Sequence, residues 1–478
     1  MIKLKVLEII RELSKEELKK FSDYLCSPLF NKRKLISSLF EIYKKYYPDF
    51  ENPNFTKERV FKKLFPGKKY NDEIFRNLNS VLLNFAEDFL AYMNYCGNSI
   101  RVKRHLLSEF NRRKILGLFT KNFEEGKKKL DSSGQKDLNY FYNRYELYQQ
   151  KDTYNSIINK FSKEDISIAE KNFLIFFVIK ILELQNYILY QSNVLGLDNS
   201  LYLGDTFIEI IMKKIPDEIV QLPQVQIYYN GLRLEQTGKE QYYIILKKLL
   251  IESGSLLNKD ELYNKYLYLI NYIKKTYSTK EVKTNAELIH LRKEIIEKNL
   301  LMENTIKNMF FLNLVKSGLK VKEYEWIFNF INNYRTFLIP KYKDSTVNLA
   351  LALYYFEKRE FNKSLSHASL VKYEDNFYNL QVKNLSAKIY FEMNDITSLV
   401  NFISSYRMYL SKNRTIVKKE IQSHNLFINF LSKLVRIKEQ RKFHRLKDLS
   451  NEILKANFAN NSWLNDKVQE LLTATNNC

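Results

Sequence analysis

The sequence predicts an all-α protein, an N-terminal helical module followed by a right-handed α-α superhelix. Three observations predict it. Glycine and proline are scarce, 11 and 7 in 478 residues, whereas an α/β enzyme of this length spends glycine on tight turns and phosphate loops. Apolar residues recur at helical spacing from the first segment onward. A pattern of small and aromatic residues repeats after 35 positions toward the C-terminus. Hydrophobic residues make up 45% and aromatics 14%, ample material for burial in two or three domains or one extended array.

The elements follow in order. Val6, Ile9, Ile10 and Leu13 stand at i, i+3, i+4 and i+7, one helix face. Ser14 precedes Glu17 by three, a capping box in which each side chain meets the other's backbone amide. The second helix stops at Ser27-Pro28, because proline disfavours helical geometry in the residue before it. An amphipathic segment at 31–47 leads into the two-proline loop "PDFENPNF". Thr56 opens a short helix to Phe65, "PGKKYND" breaks the chain, and Ile74, Phe75, Leu78, Val81, Leu82, Phe85 and Phe89 mark a long helix. Residues 1–96 read as the N-terminal helical module.

Two helices around Gly67 also invite a helix-turn-helix reading. The second offers Arg76, Asn77, Asn79 and Asn84 to base edges, but Glu73, Glu87 and Asp88 beside them favour a plain helical hairpin. Residues 97–219 continue as a helical linker or bundle, with connections near 131–137, 195–200 and 214–224. Pro216 and Pro223 make the last of these the boundary to 220–478. The stretch "FLIFFVIKILEL" at 173–184 is short and carries Lys180 and Glu183, so it is expected as a buried helix and not a membrane span. Charges interrupt the first residues too often for a signal-peptide core.

The repeat lies in 220–478. Ala352, Tyr355 and Phe361 recur as Ala387, Tyr390 and Ile396, and Ser364 and Ala368 correspond to Leu399 and Ile403. Upstream, Gly231, Leu234 and Gly238 fall at matching offsets, and Tyr324, Trp326 and Ile327 open another second helix. Antiparallel helices need a small residue where they cross closely and a larger one in the groove beside it. Ala352 and Ala368 are the expected close-approach points, with Tyr355 and Phe361 as fillers.

These offsets resemble the tetratricopeptide repeat (TPR), in which a small residue, an aromatic three later, a turn residue and an alanine in the second helix define the unit. The departures are Arg359 for the turn glycine, Ser364 for an alanine, and no proline at 375–376. The resemblance covers 220–411 and implies TPR-like hairpins stacked into a superhelix, since one pair cannot bury its apolar face alone. The chain also resembles a group of bacterial all-helical proteins without an established activity. That likeness rests on Ser27-Pro28-Leu29-Phe30-Asn31, on "LYNKYLYLINYIKK" and on "IKNMFFLNLVKSGLKVKEYEWIFNFINNY". It implies a helical fold and no chemistry.

No GxxxxGK[ST] or GxGxxG phosphate loop occurs. His105, His290, His367, His424 and His444 form neither HxxxH nor HExxH, and no Ser, Cys or Thr sits in a recognisable nucleophile setting. The expectation is a non-enzymatic protein with no cofactor and no metal. Cys26, Cys96 and Cys478 are spread apart without a CxxC, which fits a reducing cytoplasm.

The formal net charge is +23. It reads either as a preference for polyanions or as a bias toward Lys throughout the chain. Some TPR-like grooves clamp a terminal carboxylate with Lys and Asn on each first helix. The equivalent places in the clearest unit are Leu349 and Leu353, which favours an apolar groove or a buried face. The most lopsided charge run spans 407–447, opposed only by Glu420 and Glu439. Within it "RIKEQRKFHRLK" is expected to fill about three helical turns. Arg436, Lys438, Arg441, Lys442 and Arg445 are the candidate polyanion site, and a solvated capping face is the competing reading. The expected function is a cytoplasmic scaffold for protein partners, with no membrane. The alternative is an RNA- or DNA-associated accessory factor using the basic C-terminal helices.

Overall fold

The computed structural model describes residues 4–132, 134–195, 202–277, 282–301, 305–372, 376–413, 415–456, 458 and 460–476. Among them the fold is all-helical, with 24 α-helices and no strand beyond one isolated bridge between Ile306 and Leu338. The expected connection at 196–200, Arg414 of the basic run and Cys478 lie outside the described residues.

The helices are Lys5–Glu12 (α1), Lys15–Cys26 (α2), Lys34–Lys44 (α3), Lys57–Leu64 (α4), Asp72–Gly97 (α5), Ser99–Arg113 (α6), Leu116–Asp131 (α7) and Leu138–Ile157 (α8). Next come Lys163–Leu195 (α9), Gly204–Lys214 (α10), Asp217–Val220 (α11), Pro223–Thr237 (α12), Glu240–Ser253 (α13), Lys259–Thr276 (α14), Val282–Glu297 (α15) and Asn308–Lys320 (α16). The last are Tyr324–Tyr334 (α17), Pro340–Glu357 (α18), Phe361–Ser369 (α19), Asn376–Glu392 (α20), Ile396–Lys412 (α21), Lys418–Glu439 (α22), Leu446–Lys455 (α23) and Asn461–Asn476 (α24). Contacts divide the chain into two compact units, Met1–Phe177 and Val178–Cys478, and the division falls inside α9.

In the first unit the local signals act as read. The Ser14 hydroxyl accepts from the Glu17 amide at 3.2 Å, and the Glu17 carboxylate accepts from the Ser14 amide at 2.8 Å. Thr56 caps α4 through the Arg59 amide. Phe21, Phe40, Tyr43, Phe75 and Phe89 meet in one aromatic core. The Tyr43 hydroxyl donates to Asn79 Oδ1 at 2.6 Å, and Asn79 Nδ2 donates to the Phe75 carbonyl at 2.8 Å. Asn79 is therefore a satisfied core residue, which removes it from any base-reading set. Arg76 is paired with Asp72 at 2.9 Å.

The stretch 173–184 corrects the expectation of a buried helix. Ile175, Val178, Ile179 and Leu182 are inside, but Phe173, Phe177 and Leu184 are exposed. The physical reason is that apolar residues run all round α9, so packing one face leaves another uncovered. By length and composition Lys163–Ser192 is apolar enough to cross a bilayer.

In the second unit, hairpins follow one another: α12/α13, α16/α17, α18/α19, α20/α21 and α22/α23, with α16 packed on α18 and α18 on α20. The turns of the last four share one geometry. Lys322, Arg359, Asn394 and Arg441 each adopt a left-handed conformation, with φ of 62°, 61°, 58° and 53°. At each, the following amide reaches back five residues, as Glu360 N to Tyr355 O at 2.9 Å and Asp395 N to Tyr390 O at 3.0 Å. The left-handed residue itself bonds three back, as Arg359 N to Phe356 O at 3.0 Å. This is the Schellman cap, which satisfies the last carbonyls of a helix. The same pair of bonds closes α6 at Lys114, α8 at Asn159 and α15 at Asn299, so seven helices among the described residues end in this way without glycine. Gly238 makes the simpler left-handed turn after α12, through a bond to Leu234 O.

Counted from the left-handed residue, the place seven before it holds Val315, Ala352, Ala387 and Leu434. The place five after it holds Ile327, Ser364, Leu399 and Leu446. All eight are fully buried. Each hairpin tunes the crossing differently. In α18/α19 Ala352 admits Ser364, whose hydroxyl donates to the Ala352 carbonyl at 2.7 Å. In α16/α17 Gly318 opens the space instead; a Cβ there would collide with Ile327 and with Ile289, the latter at 2.7 Å. Ala368 is buried as expected, while Tyr355 is only partly covered and stacks on His367 at 5.4 Å.

Candidate anion-binding site

The second unit holds a cavity of about 540 Å³ between helices α14, α15, α16, α18 and α20 and the segment that enters α24. Helix geometry delivers its side chains. Lys316 and Lys388 each stand six residues before a left-handed turn residue, Lys322 and Asn394, and so point to the same side of α16 and α20, the first helices on either side of α18. Lys320, one turn on from Lys316, joins them, with Arg292 from α15 and Lys274 from α14. Among the described residues Glu357 is the only carboxylate in the lining. Asn285, Asn313, Gln381 and Asn384 supply amides, and Phe356, Phe458 and Trp463 supply apolar wall.

None of the five cations is salt-bridged to a described carboxylate. Arg292 is buried, and burial pushes its guanidinium down to about 10. Its Nη1 donates to Ser317 Oγ at 2.7 Å and to the Asn313 carbonyl at 3.3 Å, which holds it in place without neutralising it. Lys316 donates to Gln381 Oε1 at 2.7 Å, and burial lowers its ammonium to about 8. Lys388 falls to about 7, first through burial and then through repulsion from Lys320 and Lys316, against a weaker pull from Glu357 and Glu392. Its Nζ lies 5.4 Å from the Trp463 ring centroid, a cation–π contact. Glu392 is already committed, accepting from Trp463 Nε1 at 3.1 Å and pairing with Lys467 at 2.9 Å. Lys274 is lowered by burial and by Arg292. Lys274 and Lys320 are exposed, Lys316 and Lys388 half-buried and Arg292 buried; like charges that are partly withdrawn from water and outnumber their counter-charge are costly, and a bound anion would relieve that cost.

Leu349 is core, but Leu353 lines this cavity. Of the two expected alternatives, Leu349 takes the buried face, whereas Leu353 meets not an apolar groove but a cavity that its counterparts in register, Lys316 and Lys388, also line. The clamp positions read differently in the flanking hairpins than in the clearest one. Lys274 and Arg292 lie outside the 35-residue period, so no repeat signal marks them.

The basic run is placed elsewhere, and none of its members lines the cavity. Arg436 and Lys438 end α22, Arg441 takes the left-handed turn, and Lys442 and Arg445 sit around the 3-10 turn Phe443–Arg445. The run is thus a bend and not three turns of one helix, because the chain reverses at Arg441. Arg436, Arg441, Lys442 and Arg445 are exposed. Lys438 is tied down, donating to Asn394 Oδ1 at 2.7 Å and lying over the Phe391 ring. Cys26 and Cys96 are exposed free thiols. Among the described residues no group of three or more His, Cys, Asp or Glu side chains is placed to hold a metal ion. His424 is engaged in the interior with the Tyr406 hydroxyl at 2.9 Å and with Asn384. No protein-family model matches the chain, and no curated protein is similar to it.

Proposed function

We propose that this protein is a non-enzymatic interaction scaffold in which TPR-like hairpins stack into a right-handed superhelix, and that the cationic cavity takes an anionic segment of a protein partner. The observation that carries this reading is the convergence of five cations from four helices on one cavity with a single carboxylate. The uniform hairpin turns support a stacked array, since each hairpin has to bury its apolar face on a neighbour. The free thiols fit a reducing cytoplasm.

A second reading has its own observation. Arg436, Arg441, Lys442 and Arg445 are exposed around one bend, with no salt bridge to a described carboxylate, which suits contact with RNA or DNA phosphates. One experiment separates the two. Full-length protein is titrated by fluorescence anisotropy with a labelled glutamate-rich peptide and with single-stranded RNA across a salt series. The scaffold reading expects peptide binding that is lost in a Lys316→Met, Lys388→Met double variant and kept when Arg436, Arg441, Lys442 and Arg445 are changed to Glu. Tight RNA binding that the Glu variant abolishes, with a log–log salt slope of roughly −0.7 per phosphate, would favour the second reading. Peptide binding indifferent to the cavity variant would overturn the first.

A further inference from the structure

We propose that the cavity among α14, α15, α16, α18 and α20 binds a phosphoryl dianion, held by Lys316, Lys320 and Lys388 at the front and Arg292 behind. The inference rests on the anionic-groove reading above and names the chemistry of its ligand.

Charge decides between the two common biological anions. Five cations face Glu357 alone, and Lys388 is close enough to Lys316 and Lys320 to feel both. One carboxylate brings a single negative charge. A phosphoryl group brings roughly −1.5 to −2 and three acceptor oxygens, enough for three ammonium donors, two from α16 and one from α20. Lysine suits this arrangement, being a point charge with rotatable donors that several oxygens share. Arg292 is already fixed by Ser317 and by the Asn313 carbonyl, so it acts as a preorganised positive charge at no cost in ordering its own side chain.

Size and walls agree. A volume of about 540 Å³ lies within the range of roughly 300–1,000 Å³ usual for small-ligand sites, so it accommodates a phosphoryl group together with what bears it. Trp463, Phe458 and Phe356 offer apolar surface for that remainder. Two sources share this chemistry, a phosphorylated side chain of a partner and a free nucleotide.

The test is calorimetric titration of the full-length protein with four probes: a phosphoserine peptide, the same peptide with glutamate at that position, ATP, and sulfate. At least one phosphoryl probe is expected to bind tenfold or more tightly than the glutamate peptide. Binding by the phosphopeptide alone identifies a modified partner as the source, and binding by ATP alone identifies a nucleotide. Lys316→Met and Lys388→Met are each expected to lower that affinity at least tenfold without lowering the melting temperature, because each removes a half-buried like charge. Lys388→Arg is expected to retain binding, which separates lost charge from lost structure. Sulfate keeps its charge between pH 6.5 and 9, so its affinity is expected to rise as pH falls and the two lysines gain protons. Equal affinity for the glutamate and phosphoserine peptides, both lost in Lys316→Met, would overturn the phosphoryl assignment and leave the anionic-groove reading standing. No binding of any probe would overturn both.

Discussion

Gly318 survives in the last turn of α16 because Ile327 of the facing helix fills the space a side chain would take. Gly318→Ala is expected to destabilise by about 2 kcal/mol through overpacking, and Ala352→Arg by more, since it drives a charged chain into a helix crossing. Urea unfolding checks both, and an unchanged midpoint for either would remove the proposed pairing. The buried lysines make a different kind of prediction. Lys265 lies over the Tyr228 ring, and burial brings it down to about 7, as it does Lys388, with Lys316 at about 8. A depressed lysine is neutral in the folded chain while the unfolded chain still holds its proton, up to an unfolded pKa of about 10.4. Stability is therefore gained as pH rises above 7 and is lost again on returning to it. Denaturant midpoints are expected to be higher at pH 9 than at pH 7, with a shallower difference in Lys388→Met. A flat profile in the parent protein would contradict the burial of these groups.

The hairpin turn is the element that organises the second unit, and its most telling residues are the least glycine-like. A left-handed backbone costs a non-glycine residue about 1–2 kcal/mol, and Arg359 bears it at φ 61°. Arg359→Gly is expected to stabilise by about 0.5–1 kcal/mol, part of the relief being offset by the greater freedom of the unfolded chain. A loss of stability in a thermal melt would mean that the Arg359 side chain holds the turn. The same residue explains what the sequence could and could not disclose. The capping box at Ser14, the cap at Thr56 and the close approach of Ala352 and Ala368 were legible because their residue types have strong local preferences. The turns were not, because Lys, Arg and Asn carry only weak left-handed signals, so Arg359 looked like a departure and Arg441 like a helical cation. The cavity was half legible: Lys388 stands one period after Leu353, but only tertiary packing brings Lys274 and Arg292 to it.

Across the whole molecule, positive charge is distributed unevenly in kind as well as in place. Most lysines are solvated, and a few are withdrawn from water in the second unit, where they bias its stability with pH. The spacing of the turns carries a further meaning. Lys322, Arg359 and Asn394 are 37 and 35 residues apart, with Arg441 a longer 47 beyond, so the first two intervals are nearly equal lengths of chain, each sealed by its own cap. Pulled from its ends in an optical trap, such a chain should yield in discrete steps and not in one rupture. A hairpin of this length would release about 120–130 Å of contour at the extended spacing of about 3.6 Å per residue. Recurrent steps of that size would mark the hairpin as the mechanical unit. The molecule would then be an extensible tether, able to shorten and lengthen by whole hairpins under load.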